Sequence, residues 1–376
     1  MTQQPLASRL YFKVCCCVLY FVAASASFNG SYDKWHFGED GLSGSDPRFH
    51  FEMMVEGTAY RPYVYRQLLP AAVNWIDRVA PPSFKTWIYT HQALGTETQQ
   101  KPFFDSPTAE NPVYFFRYLL LYLATFGFAL MALFAMLLVC RAMQAPPLAA
   151  VLAPPILLLL IPYFQSCGGF FYDYPELAFF ALAFWIALKF RWGWILPIAI
   201  LGTWNKESFV FFVPTLYPLL RLRASRLRAV LGICVLSLAC LAVHAPVRMA
   251  FAHNPGGGLE VHWRDQLHYL LDLRNLLFGA EKTYGVQALK AFTLGPIALL
   301  AWTVWRAVPP LPPATKRHAQ IAAAINLPLY FLFCWPGELR DLSLLYVFFL
   351  LVLVANLNDW LGGRVTGPAD PPRLKL

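Results

Sequence analysis

The sequence predicts an all-α fold, a polytopic integral membrane protein, and three observations carry that prediction. Hydrophobic residues make up 58% of the 376-residue chain and charged residues 14%, against roughly 25% charged in a soluble domain. Apolar runs long enough for a helical crossing, about 17–25 residues, recur at 10–28, 113–140, 148–166, 174–190, 229–250, 287–308, 319–335 and 342–361. Basic residues collect on alternate connections between those runs, as the positive-inside rule requires of cytoplasmic loops.

Taken in order, the first span follows Arg9 and Lys13, which place the N terminus in the cytoplasm. The run VCCCVLYFVA followed by ASAS is also the pattern of a cleaved signal peptide, and either outcome puts residue 29 onward outside. Residues 29–112 form the first extracytoplasmic loop, whose Tyr, Trp, Phe and Pro content is that of a segment ordered against the membrane rather than of a disordered linker. Within it, 63–79 carries apolar groups at Leu68, Leu69, Ala72, Val73, Ile76 and Val79 with Arg66, Asn74, Asp77 and Arg78 as polar positions. That spacing predicts an interfacial amphipathic helix started or kinked by Pro70.

Residues 193–220 differ from the other spans. Two apolar arms too short for an upright crossing flank Asn205, Lys206 and Glu207, which are costly in lipid. A hairpin with Asn-Lys-Glu at its tip resolves the conflict and brings the total to about nine or ten transmembrane helices or half-helices in a single domain, 1–376. A second extracytoplasmic loop, 252–286, opens with the flexible run 255–258 and continues into VHWRDQLHYLLDLRNLLF, whose Leu spacing predicts another amphipathic helix. PPLPPATKRH at 309–318 reads as a Pro-stiffened inside turn.

Every inside turn of this topology is basic: Arg141; Lys189 with Arg191; Arg221, Arg223, Arg226 and Arg228; Arg306 with Lys316 and Arg317; Arg364, Arg373 and Lys375. Of the 21 acids, all but Asp359 and Asp370 fall on the outer side or in the outer half of a span. Both termini are therefore expected in the cytoplasm. The net charge of +9 is this cytoplasmic rim, and no pattern interleaves the basic residues as nucleic-acid recognition requires. The eight cysteines lie in or beside apolar spans without CxxC spacing, which excludes a zinc or disulfide framework.

Polar groups at membrane depth point to function because burying them is costly. Arg61 and Arg66 in RPYVYRQLLP are suited to a lipid phosphate, which guanidinium pairs with bidentately, or to headgroup snorkelling. Lys206 and Glu207 either contact and orient a phosphate or pair with each other. Asp173 and Glu176 in FFYDYPEL open a span, where acids also suit the helix dipole. Glu338 and Arg340 in WPGELRD, and His244 and Arg248 in HAPVR, complete the set. Five segments thus deliver charge to one outer face, a composite site for a phosphate-bearing lipid and a polar acceptor.

RPYVYRQLLP paired with NKESF and GELRD, the large loop after span one, the juxtamembrane helix and the segment ILGTWNKESFVFFVPTLYPLLRLR together resemble the GT-C class of polytopic glycosyltransferases. That resemblance implies sugar transfer from a polyprenyl-phosphate-linked donor to an acceptor of unidentified chemistry, on the extracytoplasmic face of a bacterial inner membrane. It also implies an acidic general base in the first outer loop. Asp33, Asp40 and Asp46 compete, with Asp40 in GED and Asp46 in SDP favoured as catalytic residues because Gly- and Ser-rich turns present a side chain to a cleft. Arg66, Lys206 and Arg340 would stabilise the departing phosphate. Some members of the class use a divalent metal ion; the sequence shows no dedicated ligand cluster, so metal dependence stays open. The alternative is a transporter or flippase for a lipid-linked or small polar substrate, with 193–220 as a re-entrant gate; absence of an internal repeat and the outward clustering of charge disfavour it.

The topology makes a direct prediction. With the native cysteines replaced by serine, Gly257→Cys is labelled by a membrane-impermeant maleimide in intact cells and Arg223→Cys only after the cytoplasmic face is opened. The reverse pattern inverts the assignment.

Overall fold

The computed structural model describes residues 6–38, 47–93, 103, 106–166 and 169–361. Its helices run in order α1 (Leu6–Trp35), α2 (Phe51–Glu56), α3 (Leu68–Val79), α4 (Pro82–Ile88), α5 (Pro107–Glu110), α6 (Pro112–Ala142), α7 (Pro147–Phe164), α8 (Asp173–Lys189) and α9 (Trp192–Asn205). They continue with α10 (Ser208–Phe212), α11 (Tyr217–Leu220), α12 (Arg226–Ala250), α13 (Trp263–Leu271) and α14 (Leu273–Phe278). A small hairpin of β1 (Ala280–Thr283) and β2 (Val286–Leu289) precedes α15 (Leu294–Ala307), α16 (Pro313–Phe333) and α17 (Tyr346–Trp360).

By length and composition, five helices among the described residues can cross a membrane: Tyr11–Lys34, Pro112–Ala142, Pro147–Phe164, Arg226–Ala250 and Ser343–Trp360, with Ser208–Leu220 a shorter apolar helix. The chain is therefore an α-helical protein with several candidate spans. The other expected membrane elements are helical too, but each falls short for a physical reason. α8 has only 17 residues and carries Asp173, Glu176 and Lys189. α16 opens with Lys316, Arg317 and His318. The span expected from 287 gives its first residues to β2 and starts only at Leu294.

Local chemistry sets the helix limits. Pro112 occupies the first turn of α6, where its missing N–H costs nothing, and the Asn111 side chain accepts from Val113 N at 3.0 Å. Ser225 caps α12 by accepting from Arg228 N at 3.3 Å. Asp272 explains why the second outer-loop helix is two helices: its carboxylate accepts from Arg274 N at 2.9 Å and its backbone is extended, so α13 stops and α14 restarts there. α3 starts at Leu68, with Pro70 in its first turn rather than at a kink. Its Leu68, Leu69 and Val73 face protein, while Trp75 and Val79 are exposed, as are Phe84 and Trp87 of α4. An aromatic, two-sided surface of this kind suits the membrane interface. The stretch at 309–318 turns only as far as Pro312; α16 takes the remainder.

α1 is joined to α7 and α8 by hydroxyls on one helical face, an arrangement that suits helix association in lipid. Ser27 Oγ donates to Leu158 O at 2.6 Å and lies 3.0 Å from Tyr174 Oη, and Ser31 Oγ donates to Gln165 Oε1 at 2.6 Å. In the last turn of α1, Lys34 Nζ pairs with Glu281 of the hairpin at 2.7 Å. The hairpin turn places Tyr284 and Gly285 at φ 54° and 77°, the double positive φ of a tight two-residue connection. Tyr284 accepts that strained geometry while its hydroxyl donates to Leu159 O at 2.9 Å and its ring occupies the space where a Cβ on Gly30 would stand, 2.5 Å away.

The 192–220 hairpin forms as the sequence predicts, α9 ending at Asn205 and α10 beginning at Ser208. Its arms close at Gly202, where an added Cβ would lie 2.3 Å from the Phe209 ring, itself packed on Phe180 and Phe212. Gly202→Val is expected to lower stability by about 1–3 kcal/mol, the usual cost of overpacking. Thermal unfolding in detergent measures it, and Phe209→Leu in the same chain should recover part of the loss.

Candidate functional site

Chain direction alternates along the bundle so that the ends of α1, α7, α9, α12 and α16 meet the starts of α8, α10 and α17. Contacts among those termini confirm the shared end: Lys206 reaches Glu176, Arg340 reaches Asp173, Arg66 reaches Glu207, and Asn254 reaches Gly57 O. The basic turns at 141, 189–191, 221–228 and 306–317 occupy the opposite end.

The centre of the site is Tyr172, immediately before α8. Its backbone carbonyl accepts from Asn205 Nδ2 at 2.9 Å, and its ring stacks on Phe170 at 5.0 Å with the planes 10° apart. Three cations lie against these two rings: Arg66 at 4.4 Å from the Tyr172 centroid, Lys206 at 5.5 Å from the same centroid, and Arg340 at 4.8 Å from that of Phe170. Ring quadrupoles attract cations placed so. Arg66 also donates to the Tyr172 hydroxyl.

Carboxylates answer each cation. Lys206 Nζ lies 2.8 Å from Glu176 Oε2 and 3.9 Å from Asp173 Oδ1. Glu176 accepts in addition from Ser208 Oγ and from Ser343 Oγ, the latter at 2.8 Å. Asp173 Oδ2 accepts from Phe170 N, Gln165 Nε2 and Arg340 Nη1 at 3.0, 3.1 and 3.1 Å. Arg340 Nε stands 2.9 Å from Glu338 Oε1, but the alignment makes no hydrogen bond, and both atoms are buried without one.

Arg66 and Glu207 form the outermost pair. Nη2 and Nε contact the two carboxylate oxygens at 3.0 and 3.4 Å, and 28% of the Glu207 side-chain surface remains exposed, against 2% for Glu176. Lys206 and Glu207, adjacent in sequence, thus do not pair with each other. Lys206 has extended backbone, φ −158° and ψ 136°, and successive side chains on extended chain point opposite ways. One residue turns inward to Glu176 and the next outward to Arg66.

Of the residues singled out from the sequence, the structure brings together Arg66, Asp173, Glu176, Lys206, Glu207, Glu338 and Arg340. His244 and Arg248 sit beside this group, on the ring of Tyr65 at 6.0 and 5.8 Å. Arg61 is turned away: its Nη2 donates to Gly256 O at 2.6 Å and its backbone N to Pro255 O at 2.9 Å, so it fixes the 255–256 turn. Asp40 and Asp46 lie outside the described residues. Asp33 accepts from Asn29 at 2.6 Å at the exposed end of α1. Tyr172, Phe170, Gln165, Ser208 and Ser343 escaped sequence reasoning. Tyr172 and Ser208 stand within the charged motifs themselves, and adjacency was the available clue. No group of metal-binding side chains occurs among the described residues.

Comparison of the chain with protein-family models, curated proteins and solved structures gives no match in any of the three.

Burial pushes the Glu338 carboxyl up to about 8, against the pull of Arg340, with Asp341 and Asp173 adding to the rise. Burial acts the same way on Glu207, but the Arg66 charge and its hydrogen bonds win and hold that carboxyl at about 2. The two groups therefore act on stability with opposite sign. Glu207, depressed below its ordinary 4.5, stabilises the fold above that pH, and the contribution fades as pH falls from 4.5 toward 2. Glu338, raised, holds its proton in the fold after the unfolded chain has lost it, so stability declines as pH rises from 4.5 through about 8. Thermal unfolding across pH should show the acid-side loss reduced in Glu207→Gln and the alkaline-side decline flattened in Glu338→Gln.

Proposed function

We propose that the chain is a GT-C-like glycosyltransferase that moves a sugar from a polyprenyl-phosphate-linked donor to an acceptor on the extracytoplasmic membrane face. The observation that carries this reading is the convergence of Arg66, Lys206 and Arg340, from three separate segments, on the stacked rings of Phe170 and Tyr172 at one end of the bundle. Fixed cations at that position suit a phosphate whose charge grows as it leaves, and positive charge held in place before reaction lowers the barrier most.

The pairing pattern assigns the cations different work. Breaking a buried ion pair costs about 3–5 kcal/mol, so Lys206 and Arg340, at 8% side-chain exposure and facing buried carboxylates, stay in place and set the local field. Arg66 has the one partner at the rim. A donor phosphate competes with Glu207 for its guanidinium, exchanging one bidentate acceptor for another. As the acceptor hydroxyl loses its proton to a base, its oxygen bonds the anomeric carbon. The bond from that carbon to the phosphate oxygen breaks, and its electron pair leaves on polyprenyl phosphate. Asp40 and Asp46 are the bases the resemblance implies.

Transport is the second reading, favoured by charge: Asp173, Glu176, Glu207, Glu338 and Asp341 outnumber the three cations, and Glu338 holds a proton near neutral pH. Position weighs against it, because every member lies at a helix terminus rather than at mid-span.

The purified protein, incubated with a panel of radiolabelled polyprenyl-phosphate sugars, is expected to transfer label from at least one. Arg66→Lys, which keeps the charge but loses the fork, should cut that transfer by at least about 100-fold. Unchanged transfer removes the site; absence of donor binding together with solute counterflow in vesicles supports transport.

A further inference from the structure

The chain before α13 places a second polar group beside the cation cluster, separated from it by a wall of aromatic rings. Tyr63 is the hinge between the two. Its ring lies under the Arg66 guanidinium, 5.3 Å from the centroid, and its hydroxyl donates to Glu260 Oε2 at 3.1 Å. Phe49 packs on Tyr63 and on Phe170 at 5.1 and 5.3 Å, so the rings of Phe49, Tyr63, Phe170 and Tyr172 run continuously from the cations to Glu260.

Glu260 is held by one hydrogen bond, from Tyr63, and by longer ion pairs. Arg48 Nη1 stands 3.6 Å from Oε1, and His262 Nε2 3.6 Å from Oε2, both beyond hydrogen-bond length. His262 is oriented from its other side, Nδ1 lying 3.1 Å from Asp265 Oδ2 and the ring resting on Trp335 at 5.0 Å. The segment is anchored to α16 by His262 N donating to Leu332 O at 2.8 Å. Of the Glu260 side-chain surface, 27% remains exposed. Four of the five carboxylates nearer the cations are spent by comparison: Glu207 is gripped by two Arg66 nitrogens, Asp173 and Glu176 each accept three hydrogen bonds, and Glu338 is 1% exposed; the fifth, Asp341, stands 3.9 Å from Arg340 Nε and is less exposed than Glu260, 18% against 27%.

We propose that Glu260 is the general base of the transfer reaction, with the faces of Tyr63 and Phe49 carrying the donor sugar between it and Arg66; this rests on the glycosyltransferase reading. Sugar rings present C–H faces that bury well against aromatic rings. An in-line displacement needs the base and the departing phosphate at opposite sides of the anomeric carbon, and Tyr63 touches Glu260 at its hydroxyl end and Arg66 over its ring. Glu260 takes the proton of the acceptor hydroxyl, whose oxygen forms the new bond to the anomeric carbon while the old carbon–oxygen bond gives its electron pair to phosphate. The proton on Glu260 then passes to water.

The test separates chemistry from binding. In the full-length protein, Glu260→Gln should lower kcat by at least about 100-fold, the usual worth of a positioned base, and leave the Kd for short-chain polyprenyl phosphate within about twofold, because the cation cluster is untouched. Glu260→Asp, which restores a carboxylate, should recover a measurable part of kcat. Transfer by Glu260→Gln within about threefold of wild type, with Asp40→Asn or Asp46→Asn abolishing it, overturns the assignment and keeps the wider reading; parallel loss of polyprenyl phosphate binding in Glu260→Gln makes its role structural and overturns it too. A wild-type protein that neither binds polyprenyl phosphate nor transfers sugar brings down both.

Discussion

Everything at this end of the bundle follows from the cost of burying ions. Lys206 sits at the tip of a helical hairpin with 8% of its side chain exposed, and an ammonium so placed persists only where opposite charge and hydrogen bonds replace water. Glu176 supplies the charge, and Ser208 and Ser343 satisfy the carboxylate's remaining lone pairs. One pair therefore fixes three elements together: the start of α8, the hairpin tip and the turn into α17. Arg340 with Asp173 repeats the arrangement from the same two sides. The geometry that satisfies these ions is the geometry that gathers the cations on Tyr172 and Phe170.

The same constraint grades mobility within the site. Fully desolvated pairs are strong in proportion to the water they exclude, whereas the Arg66 pair, open on the Glu207 side, is screened and exchangeable. Exchange at Arg66 would leave the inner lattice undisturbed, because Lys206 and Arg340 keep their own buried carboxylate partners. The hairpin itself is closed at Gly202 against Phe209, which suits a rigid support for Lys206 better than a moving gate.

The helical architecture was legible in the sequence because lipid and helix geometry leave strong periodic signals: each apolar run is mainly helix, the one from 287 only after its first residues, and the short-armed 193–220 segment formed the hairpin that its polar centre demands. What could not be read was partnership. Lys206 and Glu207 are neighbours in the chain, and nothing in their adjacency says that extended backbone would send one to Glu176 and the other to Arg66. Arg61 looked equivalent to Arg66 five residues away, yet it serves the backbone of 255–256. Asp272 broke an amphipathic helix that Leu spacing had drawn as continuous, since one carboxylate competing for backbone N–H groups outweighs periodicity. The start expected at 287 failed because a two-residue turn at Tyr284 and Gly285, stabilised by a distant notch at Gly30, is invisible to a window of hydropathy.

The hydroxyl seam of α1 has a consequence for biogenesis. Ser27 and Ser31 meet Tyr174 more than 140 residues later in the chain, and Lys34 meets Glu281 a further hundred residues on. A ribosome delivers α1 long before any of these acceptors exists, so the nascent helix must wait with its polar stripe unmatched, sheltered by the insertion machinery or by water at the bilayer rim. The stripe closes as α7 and α8 emerge, and the β1–β2 hairpin brings the last partner, Glu281, to a Lys34 already held by Pro162 O and Gln165 O.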